Sequence, residues 1–163
     1  MRRLAAADVF FGVARKGALG MNNTEFHSVH GLPPARGQKD DVTTARDLSI
    51  LCRAVLKHPE ALRYTSTRQR LFRPNAGKKT VNMVTHNPLL AHVEGCDGLK
   101  TGYIAKAGFS IAVSVLRNGQ RVVVVVLDSI DRKLRDKKAA ELVEKGFAAP
   151  VAGRSATAAR VGR

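Results

Sequence analysis

Five consecutive valines, Val122 to Val126, constrain the fold of this chain more strongly than any other feature of its 163 residues. A strand that is apolar on both faces must lie within a sheet that is covered on two sides. A second apolar stretch, Phe109 to Arg117, precedes the valines, and Asn118-Gly119 separates the two. Asn-Gly between apolar stretches is typical of a two-residue hairpin, because both central residues of a type I′ turn need positive φ. The sequence therefore predicts a buried antiparallel hairpin over residues 109–127.

Two segments have the periodicity of helices that can cover such a sheet. In the first, Thr43 is the predicted N-cap, and Pro59 lies just past the expected end. Its apolar residues recur at i, i+3, i+4, i+7 and i+8, a stripe that faces a core: Leu48, Leu51, Cys52, Val55 and Leu56. The second covers residues 131–147, with Asp131 as its cap and Gly146 near its end. Its predicted apolar face contains Leu134, Leu142, Val143 and Phe147.

The rest of the chain has weaker signals. Residues 10–18 have helical spacing that Gly20 can end, and we interpret them as an amphipathic helix rather than a signal peptide. Loops are expected over residues 21–41, and short strands and loops over residues 62–92. Residues 1–147 are predicted to form one domain, whereas residues 148–163 are a basic Ala/Gly/Arg-rich tail that is expected to be disordered.

The net charge of +15 favours anionic partners such as nucleic acid, acidic lipid or cell-wall polymer. The Lys and Arg residues are scattered and are not interleaved with aromatic residues, so nucleic acid is disfavoured and a solvated basic surface is the preferred interpretation. No apolar run approaches the roughly 20 residues that a membrane span needs.

The cysteines and histidines give little support for a metal site, and no cofactor is predicted. Cys52 and Cys96 are far apart and have no CxxC partners, and Cys52 is expected in the core. Whether the two cysteines pair is left open. His27 and His30 have no suitably spaced Cys or acidic partner, so we interpret them as loop residues.

The triplet Lys100-Thr101-Gly102, followed by Tyr103, has the composition of a substrate-binding strand. A Lys with an ordinary pKa near 10.4 is charged at neutral pH and attracts a carboxylate. Thr offers a hydroxyl donor, and Gly lets a peptide backbone approach closely enough to pair with the strand. Taken alone, the triplet is more often an exposed strand end.

The neighbouring segments make the triplet more specific. Together with S-x-x-K and S-D-N, K-T-G marks penicillin-binding proteins and class A β-lactamases. Seven segments occur in the order typical of serine-type D-alanyl-D-alanine carboxypeptidases: Leu19 to Phe26 with His30 to Pro33, Thr43 to Leu48, His86 to Leu90, Asp97 to Tyr103, Ala107 to Phe109, Arg121 to Leu127, and Gly146-Phe147. The chain therefore resembles the C-terminal part of the catalytic domain of this penicillin-binding family, over about residues 9–147.

The resemblance implies a fold, a reaction and partners. The fold is α/β in the broad sense (α+β), an antiparallel sheet flanked by helices and similar to β-lactamases and transpeptidases. The reaction is attack of a serine on a peptidoglycan stem peptide ending in D-Ala-D-Ala, through an acyl-enzyme that β-lactams also form in the complete enzyme. By analogy, Lys100 orients the substrate and supports proton transfer, and Thr101 contacts its carboxylate. Gly102 lets the peptide lie against the strand, and the N–H of Tyr103 is an oxyanion donor.

The sequence departs from the family at the nucleophile. None of its seven serines has a Lys three residues on, and S-x-N is also absent. Both motifs precede the resembling segment in the family, so we expect the chain to be incomplete at its N-terminal side, through truncation or a misplaced start, and inactive alone. In this fold class the sheet takes strands from both ends of the chain. The valine-rich strand is therefore expected to have an unpaired apolar edge, which favours aggregation.

A second hypothesis is a non-catalytic basic module that binds cell-wall polymer or nucleic acid. Polyanion binding that weakens steeply with salt would favour it.

By resemblance, the complete family member acts in the periplasm or at the outer face of the inner membrane.

Overall fold

The computed structural model describes residues 16–28, 31–75 and 77–150. Two antiparallel sheets are formed, one of β1 and β2 and one in the order β3-β4-β5. The elements are α1 (Lys16–Leu19), α2 (Ala45–Val55), α3 (Pro59–Thr65), β1 (Gln69–Phe72), a 3₁₀ turn (Gly77–Lys79), β2 (Val81–Val84), α4 (Leu89–His92), β3 (Cys96–Ile104), β4 (Gly108–Arg117), β5 (Gln120–Ser129) and α5 (Arg132–Ala148).

The predicted hairpin is present as β4 and β5. Its turn residues have the positive φ values that a type I′ turn requires, 48° at Asn118 and 74° at Gly119. Arg117 lies directly opposite Gln120, so the two-residue loop sets the register of the whole pair. Among the described residues β5 pairs only with β4, and its second edge has no strand partner there.

Helices cover both faces of the three-stranded sheet, as the run of valines predicts. On one face, Ile111, Val113 and Val115 are almost fully buried and pack with Val124. Helix α5 closes this core with Ala139 and Val143, which are inaccessible to solvent: Ala139 0%, Val143 0%. Successive strand residues point to opposite faces, and Val123 on the other face lines a cleft with Ser49 and Leu56 of the α2 region.

The predicted apolar face of α5 is wrong at one position. Leu134 is 47% exposed, and Arg135 takes the buried position at 2%. Arg135, Ala139 and Val143 recur every four residues, so they form the row that lies on the sheet. The Arg135 guanidinium is satisfied there, since it bonds the Asp136 carboxylate at 2.6 and 2.9 Å and the Ser110 carbonyl at 3.4 Å. The cap at Asp131 is confirmed, because its carboxylate accepts from the N–H of Leu134 at 2.8 Å.

Gly146 lies inside α5, next to Val122 of β5. A Cβ at this position would lie 2.6 Å from Cγ1 of Val122. Because a β-branched side chain in a strand has little rotamer freedom, Gly146→Ala is expected to destabilise the fold by about 1–3 kcal/mol through overpacking. Denaturant unfolding measures the change. Combining it with Val122→Ala should recover part of the loss, and two purely additive costs would contradict the steric explanation.

Helix α2 begins one residue later than predicted. Thr44 is the N-cap, because its hydroxyl accepts from the N–H of Asp47 at 3.1 Å. The Thr43 hydroxyl instead lies 2.9 Å from that of Thr24. The predicted apolar stripe is confirmed at Leu51, Cys52 and Val55, which are buried, whereas Leu48 and Leu56 are half-buried.

The two cysteines are free thiols. The predicted core position of Cys52 is confirmed, and burial raises the pKa of its thiol to about 11. Burial also raises the pKa of the Cys96 thiol.

The segment 59–92 departs most from expectation, because Pro59 begins helix α3 instead of only following α2. Proline is well suited to the first turn of a helix, where its missing N–H has no partner to lose.

Gly20 ends α1 with a φ of 74°. Residues 1–15, His30 and the tail from 151 lie outside the described residues, so the expected N-terminal helix start and the expected disorder of the tail remain predictions. No helix in the described ranges combines the length and apolarity that crossing a membrane requires.

Candidate active site

Four predicted site residues lie consecutively on β3: Lys100, Thr101, Gly102 and Tyr103. They pair in register with Ala112, Ile111, Ser110 and Phe109 of β4. Strand β3 is at the end of the described sheet, since β4 is its only partner among the described strands. The second edge of β3 therefore leaves the backbone groups of every other residue in this stretch available to an extended peptide.

Lys100 is exposed and forms no ion pair with any acidic side chain in the described part of the chain. Its ammonium group donates to the carbonyl of Thr101, so it lies close to the strand backbone. A cation that is not neutralised by a protein carboxylate can attract an anionic group of a ligand.

Space next to the strand is open at Gly102 and bounded at Tyr103. Apart from Gly102 and its two chain neighbours, no heavy atom of the described residues lies within 4 Å of the position that a Cβ of Gly102 would take. The Tyr103 ring stacks on Phe109 with centroids 4.2 Å apart and an interplanar angle of 29°. This aromatic pair covers the end of the strand, while Tyr103 itself stays 59% exposed.

The alternation of side chains along β3 restricts how a ligand can bind. Lys100 and Gly102 share one face of the sheet, and Thr101 and Tyr103 share the other. Thr101 is paired with Ile111, which belongs to the core under α5. A ligand lying on one face would meet only half of these groups. A peptide along the open edge would reach both Lys100 and Thr101.

An ion pair holds the beginning of β3. A single nitrogen of Arg121, on β5, donates to both carboxylate oxygens of Asp97 at 2.9 and 2.7 Å. The same nitrogen donates to the hydroxyl of Ser114, a fully buried residue of β4. Arg121 therefore connects all three strands three residues before Lys100. Both ionic side chains are about three-quarters buried, at 26% and 23% exposure.

Two further side chains fix the same part of β3 from outside the sheet. Asn87 is 4% exposed, donates to the carbonyl of Gly98 at 3.3 Å, and accepts from the N–H of Leu89 at 3.1 Å. Thr65, at the end of α3, donates to the carbonyl of Asp97 at 3.0 Å. A Cβ on Gly98 would lie 2.7 Å from the Thr65 hydroxyl. Glycine at this position permits α3 to approach the strand.

These supporting residues were not identified as such from the sequence. Asp97, Gly98 and Asn87 lie in segments that resemble the family, but the pattern does not say what they contact. Arg121 is 24 residues from Asp97, and no local spacing rule links residues so far apart. Burial of Ser114 within an apolar strand is the one available hint, because a buried hydroxyl needs a hydrogen-bond partner.

An open cleft of about 500 Å³ lies on the same face of the sheet as Lys100, between α2 and β5. Arg53 and Arg121 line it together with Ser49, Leu56 and Val123. Arg121 is already bonded to Asp97, whereas Arg53 forms no ion pair with an acidic side chain in the described part of the chain.

Among the described residues there is no group of three or more His, Cys, Asp or Glu side chains able to hold a metal ion. His27 lies 3.3 Å from Glu25, a pair at the surface of the loop region. The Asp41 carboxylate accepts hydrogen bonds from the Ser28 hydroxyl at 2.6 Å and from two backbone N–H groups. Burial alone would raise the pKa of Asp41, but these hydrogen bonds outweigh it and lower the pKa.

Comparison with known sequences identifies relatives over most of this chain. The family model of the D-alanyl-D-alanine carboxypeptidases matches residues 13–131. The chain is 28% identical over 147 residues to the carboxypeptidase DacF of Bacillus subtilis, covering 88% of this chain and 36% of DacF. It is 33% identical over 137 residues to DacC of Escherichia coli, covering 83% of this chain and 32% of DacC. The chain therefore spans about a third of the length of these relatives.

Solved structures give the same answer for the fold. A penicillin-binding protein of Listeria monocytogenes, in its ampicillin-bound form, matches with a TM-score of 0.73 and 35% identity, over 82% of this chain and 52% of that protein. A D-alanyl-D-alanine carboxypeptidase of Mycobacterium tuberculosis matches with a TM-score of 0.74 and 25% identity, over 86% and 53%. The predicted fold class, an antiparallel sheet flanked by helices as in penicillin-binding proteins, is confirmed. The match of the family model over more than half of the chain shows that it belongs to the D-alanyl-D-alanine carboxypeptidase family.

Proposed function

We propose that this chain carries the substrate-binding strand of a serine-type D-alanyl-D-alanine carboxypeptidase that trims peptidoglycan stem peptides. The observation that carries the proposal is the open edge of β3, where Lys100 is exposed and has no acidic partner among the described residues. An extended peptide that ends in a carboxylate fits such an edge. Its backbone can pair with the strand, and its terminal charge can approach the ammonium group.

Each of the four site residues has a distinct role in this proposal. Lys100 attracts the terminal carboxylate of D-Ala-D-Ala and supports proton transfer, and the Thr101 hydroxyl donates to the same carboxylate. Gly102 leaves the space in which the peptide backbone lies. The N–H of Tyr103 stabilises the oxyanion that develops during attack on the amide, a contribution worth about 3 kcal/mol in comparable sites.

The covalent step needs groups that these 163 residues do not contain. In the proposed reaction, a serine hydroxyl attacks the amide between the two D-Ala residues, and a Lys three residues on accepts its proton. The terminal D-Ala leaves as the amine, and water then hydrolyses the ester. No Ser of this chain has that Lys. β-Lactams would acylate the same serine in the complete enzyme.

The isolated chain is therefore expected to release no D-Ala. The measurement is an incubation of the purified chain with an N-acylated peptide ending in Lys-D-Ala-D-Ala, followed by enzymatic detection of free D-Ala. The Lys100→Ala variant, assayed in parallel, sets the background. Release above that background would show that the chain has a nucleophile that the sequence motifs do not identify.

A chimera provides the positive test of the proposed function. Residues 13–147 of this chain would replace the matching segment of DacC, whose preceding part remains and supplies the nucleophile in this proposal. We expect the chimera to release D-Ala and to be labelled covalently by a fluorescent penicillin. A folded chimera that shows neither activity would contradict the assignment of β3 as the substrate-binding strand.

Substrates of this kind place the complete enzyme outside the cytoplasmic membrane.

A further inference from the structure

The hairpin of β1 and β2 is exposed on both faces. All eight strand residues are exposed, and the strands pair only with each other among the described residues. The turn is tied by Thr80, whose hydroxyl donates to the carbonyl of Arg73 at 2.8 Å. Isolated two-stranded ribbons are at best marginally stable in water, so a ribbon that exposes apolar side chains gains from a covering surface.

The hairpin exposes an unusual amount of apolar surface. Five large apolar side chains are each about half exposed: Leu71 52%, Phe72 49%, Val81 52%, Met83 57% and Val84 60%. The register places Arg70 opposite Met83, and Phe72 opposite Val81. These four residues therefore share one face. Together with Arg73, whose guanidinium lies 5.0 Å from the Phe72 ring centroid, they form what we call the apolar–cationic face.

Cross-strand packing does not account for this face. The contact between Phe72 and Val81 helps to hold the ribbon, but it leaves about half of each side chain in water. No helix or second sheet of the described residues covers these residues, since every residue of both strands is exposed. Three of the five apolar side chains, those of Phe72, Val81 and Met83, share this exposed face, whereas Leu71 and Val84 lie on the other. Neighbouring apolar side chains on an exposed face indicate a binding surface.

The charge around the hairpin has a single sign. Residues 61–93 contain no Asp or Glu and six basic residues: Arg63, Arg68, Arg70, Arg73, Lys78 and Lys79. None of the described basic side chains of this segment forms an ion pair with an acidic residue in the described part of the chain. Elsewhere, some basic residues have acidic partners, as Lys106 has Asp40 and Arg117 has Glu144. The positive potential of the hairpin is therefore not neutralised locally.

We propose that the apolar–cationic face docks on the surface of a bilayer that contains anionic lipid. Phe72, Val81 and Met83 would enter the boundary between headgroups and acyl chains, and Arg70 and Arg73 would contact lipid phosphates. A hydrated polyanion complements the charge but leaves the apolar side chains in water, so lipid fits both properties of the face. The inference does not depend on the proposed enzymatic function.

A single tryptophan tests the location of the contact. The chain has no Trp, so Phe72→Trp introduces one reporter into the proposed face. On addition of vesicles with about one-third phosphatidylglycerol in phosphatidylcholine, we expect its emission to shift to shorter wavelength, and lipids brominated on the acyl chain to quench it. Leu134→Trp is the matched control on the exposed side of α5, and we expect it to be unaffected.

Paired substitutions separate the two contributions to binding. We expect the double variant Phe72→Ser with Met83→Ser to weaken vesicle co-sedimentation about tenfold. The double variant Arg70→Gln with Arg73→Gln should have an effect of the same size. The matched controls are Ile130→Ser with Leu134→Ser, and Lys137→Gln with Lys138→Gln, which remove the same classes of side chain elsewhere. Circular dichroism verifies that each variant keeps its fold. Binding should also weaken as salt is raised from about 50 to 500 mM, because the electrostatic part is screened.

Four results would overturn the proposal. Equal binding to vesicles of pure phosphatidylcholine would show that anionic lipid is not required. Equal losses of binding in the control variants would show that the hairpin is not the site of contact. Binding to polyphosphate that matches vesicle binding, with no emission shift in either case, would replace lipid by a hydrated polyanion. An emission of Phe72→Trp that is blue-shifted without lipid and depends on protein concentration would show that a second copy covers the face.

Discussion

In the chimera that joins residues 13–147 to the preceding part of DacC, Lys100→Ala is expected to lower the rate of D-Ala release about 100-fold. The expected size is that of one well-placed charged or hydrogen-bonding group, about 3 kcal/mol. The physical reason is that Lys100 is an exposed cation with no acidic partner in the described structure, on the edge where the substrate carboxylate is proposed to lie. The measurement is kcat/KM for a peptide ending in D-Ala-D-Ala.

Lys106→Ala is the matched control for this substitution. Lys106 follows the end of the same strand, is exposed, and pairs with Asp40 at 2.5 Å. We expect it to leave the rate within about twofold, since surface ion pairs contribute little. Equal losses at both lysines would point to general electrostatic attraction of the substrate. Full activity of Lys100→Ala would remove the proposed role of this residue.

Arg121→Ala is expected to lower the free energy of unfolding of the chain by about 2 kcal/mol. Removing one member of a buried ion pair costs about 3–5 kcal/mol, and the quarter of each side chain that stays exposed reduces that figure. The substitution leaves the Asp97 carboxylate and the Ser114 hydroxyl without the nitrogen that they share. A domain of this size should lose about 4–8 °C of melting temperature, which differential scanning fluorimetry measures.

Glu144→Gln removes a surface ion pair for comparison. Glu144 is 63% exposed on its side chain, and its hydrogen bond with Arg117 lowers its pKa. Its substitution should have a smaller effect that fades at high salt. The double variant Arg121→Ala with Asp97→Asn should be less destabilised than the sum of its single substitutions. An additive result would mean that the pair does not hold β3.

The elements that the sequence predicts well are those decided by neighbours along the chain. Asn118-Gly119 determines a two-residue turn because of its own φ preferences. Asp131 caps α5 through a residue three positions away. The stripe in α2 and the run of valines in β5 show which faces must be buried. The position of Lys100-Thr101-Gly102 on a strand follows from the hairpin just after it, and its family from the segments that surround it.

Only the tertiary structure decided which partners those elements meet. Arg135 rather than Leu134 is buried, because the cap and the close approach at Ala139 and Gly146 set the rotation of α5 on the sheet. Arg121 reaches Asp97 across 24 residues. The exposure of Phe72 and Met83 also follows from the absence of any covering element in the described structure. Turns, caps and periodicity depend on residues within about one helical turn, and sequence alone determines them. Burial, ion pairing and free surface depend on how distant segments pack, which only the folded chain decides.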